Sequence, residues 1–357
     1  MSEINLKNYV CSIPFTSLRM EVRERFLCCP TWLEKFLPDD ATPYDAWNSQ
    51  EAIDIRDSIL DGSFKYCNSI QCPHLHQLKT FGKNKTPYPL YNKKNIPVYL
   101  EEKIKKHEDK EIFSPSVINF SMDRSCNLKC PSCRLTIYIA NSKEITKIKD
   151  EIQTIQDTYG DEVETLYITG SGDPFISVPF RDFLRNFDIS KWKKIKNIHL
   201  HTNATRWNKK MWDSMPNIHK YVKSCEISID AATKDTYENK VRLDGNWDEL
   251  IENLNFISKI PNLKNVKTSF VVQQKNYKEM KQFYDLMYSI FGNKVDIFYN
   301  KITNWGTFTE EDFLLQQIWN ESHSEYNEFV KEVNSFLPNN HSWSNLQEFI
   351  TPVKTLI

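Results

Sequence analysis

This sequence of 357 residues lacks the features that mark several common classes of protein. It contains no apolar run of 18 residues, so a membrane-spanning helix is not expected. Its first residues lack the charged-then-apolar order of a secretory signal, and we expect a cytoplasmic protein. Its formal net charge is −1 and no block of basic residues stands out. Nucleic acid is therefore not favoured as a partner.

Internal repeats and long low-complexity tracts are also absent, so the organisation has to be read from motifs. What the chain does have is a hydrophobic content of 40%, enough to bury the cores of two or three domains. It also has nine cysteines. In a reducing compartment, cysteines are better interpreted as ligands than as disulfides.

Three of these cysteines, Cys126, Cys130 and Cys133, fall within eight residues at the spacing C-x3-C-x2-C. Closing so short a loop around an inorganic centre costs little chain entropy. A structural zinc takes four ligands, whereas no further Cys or His follows this group until His199. An iron–sulfur cluster held by three thiolates has one iron left free. Zinc and structural thiols remain the alternatives.

Residues 121–134 resemble the signature of radical S-adenosylmethionine (radical SAM) enzymes. In that family, three cysteines hold a 4Fe–4S cluster whose remaining iron is chelated by the amino and carboxylate groups of SAM. Reductive cleavage gives methionine and a 5′-deoxyadenosyl radical, which takes a hydrogen atom from the substrate. The resemblance implies these roles for the cluster, for SAM and for the three cysteines. One departure is Ser132, which stands where the family often has an aromatic residue near adenine.

From about residue 116, short apolar runs alternate with amphipathic segments, as in βα units. The pattern predicts strands over residues 117–121, 165–169, 198–204, 224–230, 266–273 and 295–299, and helices over 142–159 and 247–260. The expected fold class is α/β, a partial (β/α)6 barrel with a small N-terminal cysteine-rich auxiliary-cluster module. The cysteine loop follows the first strand, where barrel enzymes keep their chemistry.

A glycine-rich turn follows the second predicted strand and consists of Gly170, Ser171, Gly172, Asp173 and Pro174. Such a turn exposes backbone groups for close approach by a ligand. Its position resembles that of the family's Gly-Gly-Glu-Pro motif, which binds the amino group of SAM. Asp173 stands where Glu is common. The end of the third strand, Thr202-Asn203-Ala204, similarly resembles the family's Thr-Asn-Gly strand end.

Alternation along the fourth predicted strand places Ser228 and Asp230 on its polar face, with Glu226. If that face points into the barrel, Ser228 and Asp230 are candidates for contacts to SAM. The alternative is that they only satisfy neighbouring backbone groups. Cys225, on the opposite, apolar face, is interpreted as a buried structural thiol.

Arg242 lies in a segment that is similar to a family segment in which an arginine binds the SAM carboxylate. A guanidinium suits this role because it donates two parallel hydrogen bonds to a carboxylate. A solvated arginine at a helix end is the alternative.

The N-terminal part holds five further cysteines: Cys11, Cys28, Cys29, Cys67 and Cys72. Alternation between the first two predicts a hairpin with thiols at its ends, and Ser49 is a plausible N-cap of a following helix. This part resembles the auxiliary module called SPASM, or its shorter twitch form. The resemblance implies a second 4Fe–4S cluster held by Cys11, Cys67, Cys72 and one of Cys28 and Cys29, with Cys28 favoured by family habit. A zinc knuckle using the same thiols is the alternative.

We therefore predict an auxiliary module over residues 1–80, a linker over 81–115, a radical SAM partial barrel over 116–310 and a helical and loop extension over 311–357. The linker prediction depends on its prolines and its charged run.

The expected function is radical SAM chemistry on a peptide, by analogy with the family. Oxidation or rearrangement of a sugar or small alcohol is the alternative within enzymes, and a zinc-binding interaction module is the alternative outside them. The cofactors implied are the catalytic 4Fe–4S cluster, a second auxiliary cluster and SAM. The partners implied are the substrate and an electron donor such as flavodoxin or ferredoxin, with no membrane.

Overall fold

The structure is a computed structural model that describes residues 5–69, 71–81, 88–168, 171–336, 346 and 349. The chain forms two compact units that interleave along the sequence. Unit 1 comprises Met1–Asp123, Ser142–Gly170 and Asp188–Lys196. Unit 2 comprises Arg124–Asn141, Ser171–Phe187 and Asn197–Ile357.

Unit 1 combines a parallel sheet with helices. Its strands are β1 (Tyr9–Cys11), β2 (Ser17–Met20), β3 (Arg25–Phe26), β4 (Leu90–Asn92), β5 (Val117–Phe120) and β6 (Thr165–Ile168). Its helices are α1 (Ile13–Thr16), α2 (Pro43–Trp47), α3 (Gln50–Leu60), α4 (Pro73–Phe81), α5 (Val98–Glu108) and α6 (Ser142–Tyr159). Strands β2, β5 and β6 pair in parallel, β3 joins β2 antiparallel, and β1 pairs separately with β4.

The N-terminal part of unit 1 follows the sequence pattern in two places. The hairpin is present as β2 and β3, and Ser49 caps α3 by accepting a hydrogen bond from the Ala52 backbone N–H at 3.2 Å. Ala52, Ile55 and Ile59 then lie on the fully buried face of α3, at the spacing of an amphipathic helix.

Two features of this part differ from the expectation. Cys11 lies in β1, which pairs with β4 and is separated from the hairpin by α1, so it does not end the hairpin. The stretch expected to be a linker contains β4 and α5, so residues 88–108 are part of the folded structure of unit 1. The pairing of β4 with β1 joins segments that are distant in the sequence. The prolines and charged residues of the stretch around β4 therefore do not reveal it.

The described part of unit 2 contains four consecutive parallel strands and several helices. Its strands are β7 (Asn197–Thr202), β8 (Val222–Ser228), β9 (Asn265–Val272) and β10 (Val295–Lys301), paired in that order. Its helices are α7 (Val178–Arg185), α8 (Lys209–Asp213), α9 (Lys234–Thr236), α10 (Trp247–Ile257), α11 (Met280–Phe291), α12 (Glu310–Gln316) and α13 (Tyr326–Phe336). A π-helical turn, Tyr237–Val241, continues α9.

The strands of unit 2 alternate as predicted, with one correction. Cys225 and Ile227 are buried on one face of β8, while Glu226 and Ser228 are half-buried on the other. The strand ends at Ser228, however, so Asp230 is not part of it. The chain turns sharply there because Asp230 adopts a φ of 66°.

Each of the six predicted barrel strands is present, as β5 to β10, and the helix predicted over 142–159 is α6. The predicted α/β class with parallel strands is confirmed. Within the described residues, no helix combines the length and the apolar character that crossing a membrane requires.

Candidate functional site

The loop that carries Cys126, Cys130 and Cys133 belongs to unit 2 and is called the three-thiol loop, residues 124–141. A tight turn brings two of the cysteines together, because the backbone N–H groups of Cys133 and Arg134 both donate to the Cys130 carbonyl, at 2.8 and 2.9 Å. Pro131 suits such a turn because its φ is fixed near the helical value. Cys126 and Cys130 are buried, whereas Cys133 is exposed.

Each of the three thiols has a side-chain N–H donor within reach. Asn203 Nδ2 lies 3.6 Å from Cys126 Sγ. Arg242 Nη1 lies 3.4 Å from Cys130 Sγ, and Arg134 Nη2 lies 3.6 Å from Cys133 Sγ. Hydrogen bonds and positive charge at sulfur favour the thiolate, which is the form that binds metals.

Burial opposes ionisation of the same thiols. Desolvation raises the pKa of Cys130 to about 11, while the positive charge of Arg242 acts in the lowering direction. Desolvation and the nearby Asp173 likewise raise the pKa of Cys126, against the lowering effect of Arg134 and Arg242. Metal binding to these thiols would therefore release protons.

Arg242 and Asp230 form a buried ion pair beside Cys130. Arg242 Nη2 lies 2.7 Å from Asp230 Oδ2, and Asp230 Oδ1 accepts a hydrogen bond from the Val271 backbone N–H at 2.8 Å. These bonds hold the aspartate in its strained left-handed conformation. Arg242 follows the π-helical turn, a type of irregularity that is frequent at functional sites.

Two buried donors near this ion pair have no hydrogen-bond partner among the described residues: Arg242 Nε and the hydroxyl of Tyr237. A buried polar group left without a partner costs about 1–3 kcal/mol. The site is thus suited to receive a further group with acceptor atoms, such as a carboxylate.

The glycine-rich turn is described from Ser171 onward, and Gly170 lies outside the described residues. The Ser171 carbonyl accepts a hydrogen bond from Arg134, so the turn is attached to the three-thiol loop. The Asp173 backbone N–H strengthens this link by donating to the Ser125 carbonyl at 2.8 Å. Gly172 is half-buried, and Pro174 is buried behind it.

The Asp173 carboxylate is buried and already accepts three hydrogen bonds from the protein. The donors are Thr202 Oγ1 at 2.7 Å and the backbone N–H groups of Asn203 at 2.8 Å and Phe175 at 2.9 Å. Desolvation raises the pKa of Asp173, and these hydrogen bonds partly offset the rise. Asp173 therefore fixes the turn against the end of β7.

Seven side chains on one face of β7, β8 and β9 form what we call the polar face: His199, His201, Ser224, Glu226, Ser228, Lys267 and Ser269. Strands of a parallel sheet that are covered on both faces are normally apolar. All seven except Ser269 are instead half-buried. This face is thus polar and only partly shielded from solvent.

The polar face is hydrogen-bonded across the strands. Ser228 Oγ lies 3.0 Å from His201 Nε2 and 3.3 Å from Ser269 Oγ, and Glu226 pairs with Lys267 at 3.2 Å. Burial works against ionisation of Glu226, but His201, Lys267 and His199 together lower its pKa to about 2. Desolvation lowers the pKa of His199 to about 4.

Unit 1 contains a second group of thiols. Cys11, Cys28, Cys67 and Cys72 line one cavity, called the four-thiol pocket. Apart from His74, the remaining lining is apolar and includes Ile13, Pro14, Trp32, Leu33, Ile59, Phe64, Leu75 and Leu90. Cys29 does not line this cavity, and its Sγ lies 3.3 Å from Thr31 Oγ1.

Burial and proximity both act on these thiols. Desolvation, followed by neighbouring thiols, raises the pKa of Cys67 to about 12 and also raises those of Cys11 and Cys28. Within the described part of the chain, no three His, Cys, Asp or Glu side chains meet closely enough to bind a single metal ion, in either unit. Thiolates of a four-iron cluster each bind a different iron, so they lie farther apart than the ligands of one ion.

The structure thus brings Cys130, Asp230 and Arg242 together, while the Ser228 hydroxyl is hydrogen-bonded to His201 on the polar face. Three site residues were not selected from the sequence: Asn203, Arg134 and Tyr237. Asn203 and Arg134 lie in segments that resemble family motifs. Asn203 is in the segment that ends β7, and Arg134 directly follows the third cysteine. Neither motif indicates which side chain reaches a thiol.

No curated protein matches this chain. Solved structures similar to it include Streptococcus suis SuiB bound to S-adenosylmethionine, at 14% identity and a TM-score of 0.45, covering 85% of this chain and 63% of that one. The structure of the same protein bound to the precursor peptide SuiA is 13% identical in sequence, with a TM-score of 0.44. That match covers 96% of this chain and 73% of the other. The structure of anSMEcpe with bound AdoMet is 15% identical, with a TM-score of 0.43, and the match covers 65% of this chain and 64% of that one. The chain thus spans less than two thirds of the length of the first of these structures.

A family match begins just before the three-thiol loop and ends at residue 287, within α11. It includes all three thiols, the glycine-rich turn, β7 to β9 and Arg242. Residues 121–287 match the model of the Radical SAM superfamily.

Proposed function

We propose that this protein is a radical SAM enzyme that abstracts a hydrogen atom from a peptide, with Cys126, Cys130 and Cys133 as ligands of a 4Fe–4S cluster. When bound, that cluster and SAM supply the one-electron cleavage that yields a 5′-deoxyadenosyl radical. The observation that carries the proposal is the donor at each thiol, at 3.4 to 3.6 Å. Such groups stabilise thiolate ligands and tune the centre they bind.

Arg242 and the turn after β6 are the proposed SAM site. Arg242 Nε and the Tyr237 hydroxyl are buried without a partner among the described residues, so a carboxylate there would satisfy donors that are otherwise costly. The turn formed by Gly170, Ser171, Gly172, Asp173 and Pro174 would meet the amino group of SAM. Asp173 would act by positioning the turn, because its carboxylate is engaged by Thr202 and two backbone N–H groups.

Ser228 and Asp230 have different places in this proposal. Asp230 holds Arg242 in position through their ion pair, 2.7 Å between Nη2 and Oδ2. Ser228 lies on the polar face, where the substrate or the sugar of SAM would contact it through the network with His201.

The four-thiol pocket is the proposed site of an auxiliary 4Fe–4S cluster, within a module over residues 1–80. Cys11, Cys28, Cys67 and Cys72 are the proposed ligands because all four line the same cavity. Cys29 is excluded from this set because its thiol lies outside that lining and beside Thr31.

The peptide substrate is proposed from the resemblance of the N-terminal part to modules of peptide-modifying enzymes. A sugar or small alcohol is the second candidate, and the polar face is the observation that favours it. Side chains such as Glu226, Lys267 and His201 suit a compact substrate with many hydroxyl groups. Deuterium transfer into 5′-deoxyadenosine from a deuterated peptide mixture, or instead from deuterated sugars, decides between the two.

The function itself is tested by anaerobic reconstitution followed by metal and sulfide analysis and an assay with SAM and dithionite. We expect about eight iron atoms per chain, as two four-iron clusters require, and formation of 5′-deoxyadenosine. The Cys225→Ala variant is the matched control, because Cys225 is a buried thiol in the core of unit 2 and should keep both properties. Zinc in place of iron, with no 5′-deoxyadenosine, would identify a zinc-binding module and end the proposal.

A further inference from the structure

Arg56, on α3, is a buried cation that forms no ion pair with any residue that the structure describes. Its exposed fraction is 1%. Arg56 Nε donates a hydrogen bond to the Pro14 carbonyl at 2.9 Å, whereas the buried Nη2 has no hydrogen-bond partner in the described part of the chain. A charge taken out of water is costly unless it is paired and fully hydrogen-bonded. Arg56 thus lacks much of the compensation that a buried cation normally has.

The neighbouring acidic residue does not supply this compensation. Asp57 Oδ1 is paired with His107 Nε2 at 2.8 Å, and the Asp57 side chain is 60% exposed. Solvent weakens the field of such an exposed carboxylate. Burial lowers the pKa of Arg56 to about 9, while Tyr159 and Asp57 act in the raising direction. Arg56 therefore remains a cation near neutral pH.

Two aromatic rings hold the guanidinium in place. Arg56 Cζ lies 4.2 Å from the centroid of the Trp47 ring and 5.0 Å from that of the Phe113 ring. Trp47 Nε1 donates to the Phe113 carbonyl at 2.7 Å, which fixes the two residues relative to each other. Aromatic faces attract a cation, but they carry no net charge. The positive charge of Arg56 is therefore held firmly without being neutralised.

Arg56 adjoins the four-thiol pocket. Pro14, whose carbonyl accepts its hydrogen bond, lines that pocket, and so does Ile59, which follows Arg56 by three positions on α3. Apart from the thiols and His74, the lining is apolar, so charges there are weakly screened. A four-iron cluster held by four thiolates has a net negative charge, which increases on reduction. Such a centre would supply the counter-charge that Arg56 lacks.

We propose that Arg56 is the counter-charge of the auxiliary centre, which stabilises the negative charge of that centre and raises its reduction potential. This inference rests on the proposed function, in the part that assigns a cluster to the four-thiol pocket. Arg56 acts through its charge and not as a ligand. Removing the charge should therefore change the potential of the centre while leaving its four thiol ligands in place.

The test measures the reduction potential of the auxiliary centre by a redox titration followed by electron paramagnetic resonance. The background is the reconstituted variant Cys126→Ala/Cys130→Ala/Cys133→Ala, in which the four-thiol pocket holds the remaining cluster. Arg56→Met removes the charge and should shift the potential to a more negative value. We expect at least a tenfold change in the reduction equilibrium, which is about 59 mV for one electron. Arg56→Lys retains a cation and should stay close to the background.

Arg23→Met is the matched control, since it makes the same substitution at an exposed position of unit 1. Water and salt screen a charge at the surface, so the potential should not change measurably in this variant. Equal potentials for Arg56→Met and the background would overturn the inference. Equal shifts in Arg56→Met and Arg56→Lys would overturn it as well, because the charge would then not be the cause.

A second readout compares stability with and without the cluster. Arg56→Met loses the hydrogen bond to Pro14 and the ring contacts in both forms, but it loses the attraction to the centre only in the reconstituted form. Its urea midpoint should therefore fall further below that of the background in the reconstituted protein than in the apo protein. An equal fall in both forms would assign Arg56 a packing role and overturn the inference. Loss of iron in Arg56→Met that Arg56→Lys restores would support it.

Failure of the proposed auxiliary centre gives a different result. The reconstituted wild type would then hold about four irons per chain in place of about eight, which iron analysis shows before any potential is measured. The inference would fall with the centre in that case. About eight irons in the wild type, with no effect of Arg56→Met on the potential, would refute the inference alone.

Discussion

The two groups of thiols differ in what surrounds them. In the four-thiol pocket of unit 1, four cysteines lie among side chains that are apolar apart from His74. In unit 2, the side chains of two arginines and an asparagine lie close to the three cysteines. The buried donors Arg242 Nε and Tyr237 Oη have no hydrogen-bond partner among the residues that the structure describes. The first environment suits a centre whose ligands are complete, and the second suits a centre that receives another polar molecule.

This difference also bears on what each centre could do. Four thiolates complete the ligation of a four-iron cluster, so a cluster in unit 1 would have no iron free for a substrate. Electron transfer or a structural role would remain. In unit 2, three thiolates would leave one iron free, and the positive charges nearby suit the carboxylate of SAM.

The largest effect is expected from replacing the thiols of unit 2. The variant Cys126→Ala/Cys130→Ala/Cys133→Ala should form no detectable 5′-deoxyadenosine, and its iron content should fall from about eight to about four atoms per chain. The reason is that only the open centre is lost. Iron analysis and the dithionite assay are the measurements. A fall to no iron at all would mean that the two centres do not assemble independently, which contradicts the contrast.

The second prediction uses the adjacent pair in unit 1. Cys28 lines the four-thiol pocket and Cys29 does not, so Cys28→Ala should lose about four irons and Cys29→Ala should lose none. Each variant removes one thiol, and the two positions are adjacent, so each variant serves as the control for the other. Iron and sulfide analysis of both proteins is sufficient. The reverse result would place Cys29 among the ligands and require a different pocket.

The third prediction concerns the buried ion pair of unit 2. Arg242→Gln leaves Asp230 buried without its partner, and breaking such a pair costs about 3–5 kcal/mol of unfolding free energy. Affinity for SAM should fall at least tenfold as well, because the proposed carboxylate donor is removed. Urea unfolding and calorimetric titration with SAM measure the two effects.

Arg206→Gln is the matched control for that variant. Its partner Glu249 is 3.7 Å away and both side chains are largely exposed, so the cost should stay below about 1 kcal/mol. If both variants lose similar stability, the environment of Arg242 is not buried and its dielectric constant is not low.

The sequence predicts most of the fold, because each barrel strand has a local sequence pattern of its own. Six apolar runs at βα spacing gave β5 to β10, and the helix at 142–159 has a clear amphipathic pattern. The end of β8 was predicted too late, since Asp230 continues the alternation of side chains but takes a left-handed φ of 66°. A single residue can leave the strand without changing the pattern that precedes it.

The site was less predictable than the fold because its contacts join distant segments. The contact between Arg242 and Cys130 spans 112 positions, and that between Asn203 and Cys126 spans 77. No local pattern encodes such pairs. The same holds for the choice between Cys28 and Cys29, which depends on which thiol turns toward a cavity built from segments as distant as Leu90.

The smallest effect is expected in unit 2 at His199, a half-buried residue of the polar face. Desolvation lowers its folded pKa to about 4, below the usual value near 6.5, while Glu226 opposes the shift and His201 and Lys267 add to it. The unfolded chain thus binds more protons between these two values, and stability due to neutral His199 is present above pH 6.5 and lost as pH falls toward 4. Relative to His199→Gln, the wild type should lose on the order of 1 kcal/mol of unfolding free energy between pH 7.5 and 5.5. Urea unfolding of both proteins at the two pH values measures this, and parallel pH dependences would show that His199 is solvated and the polar face fully open.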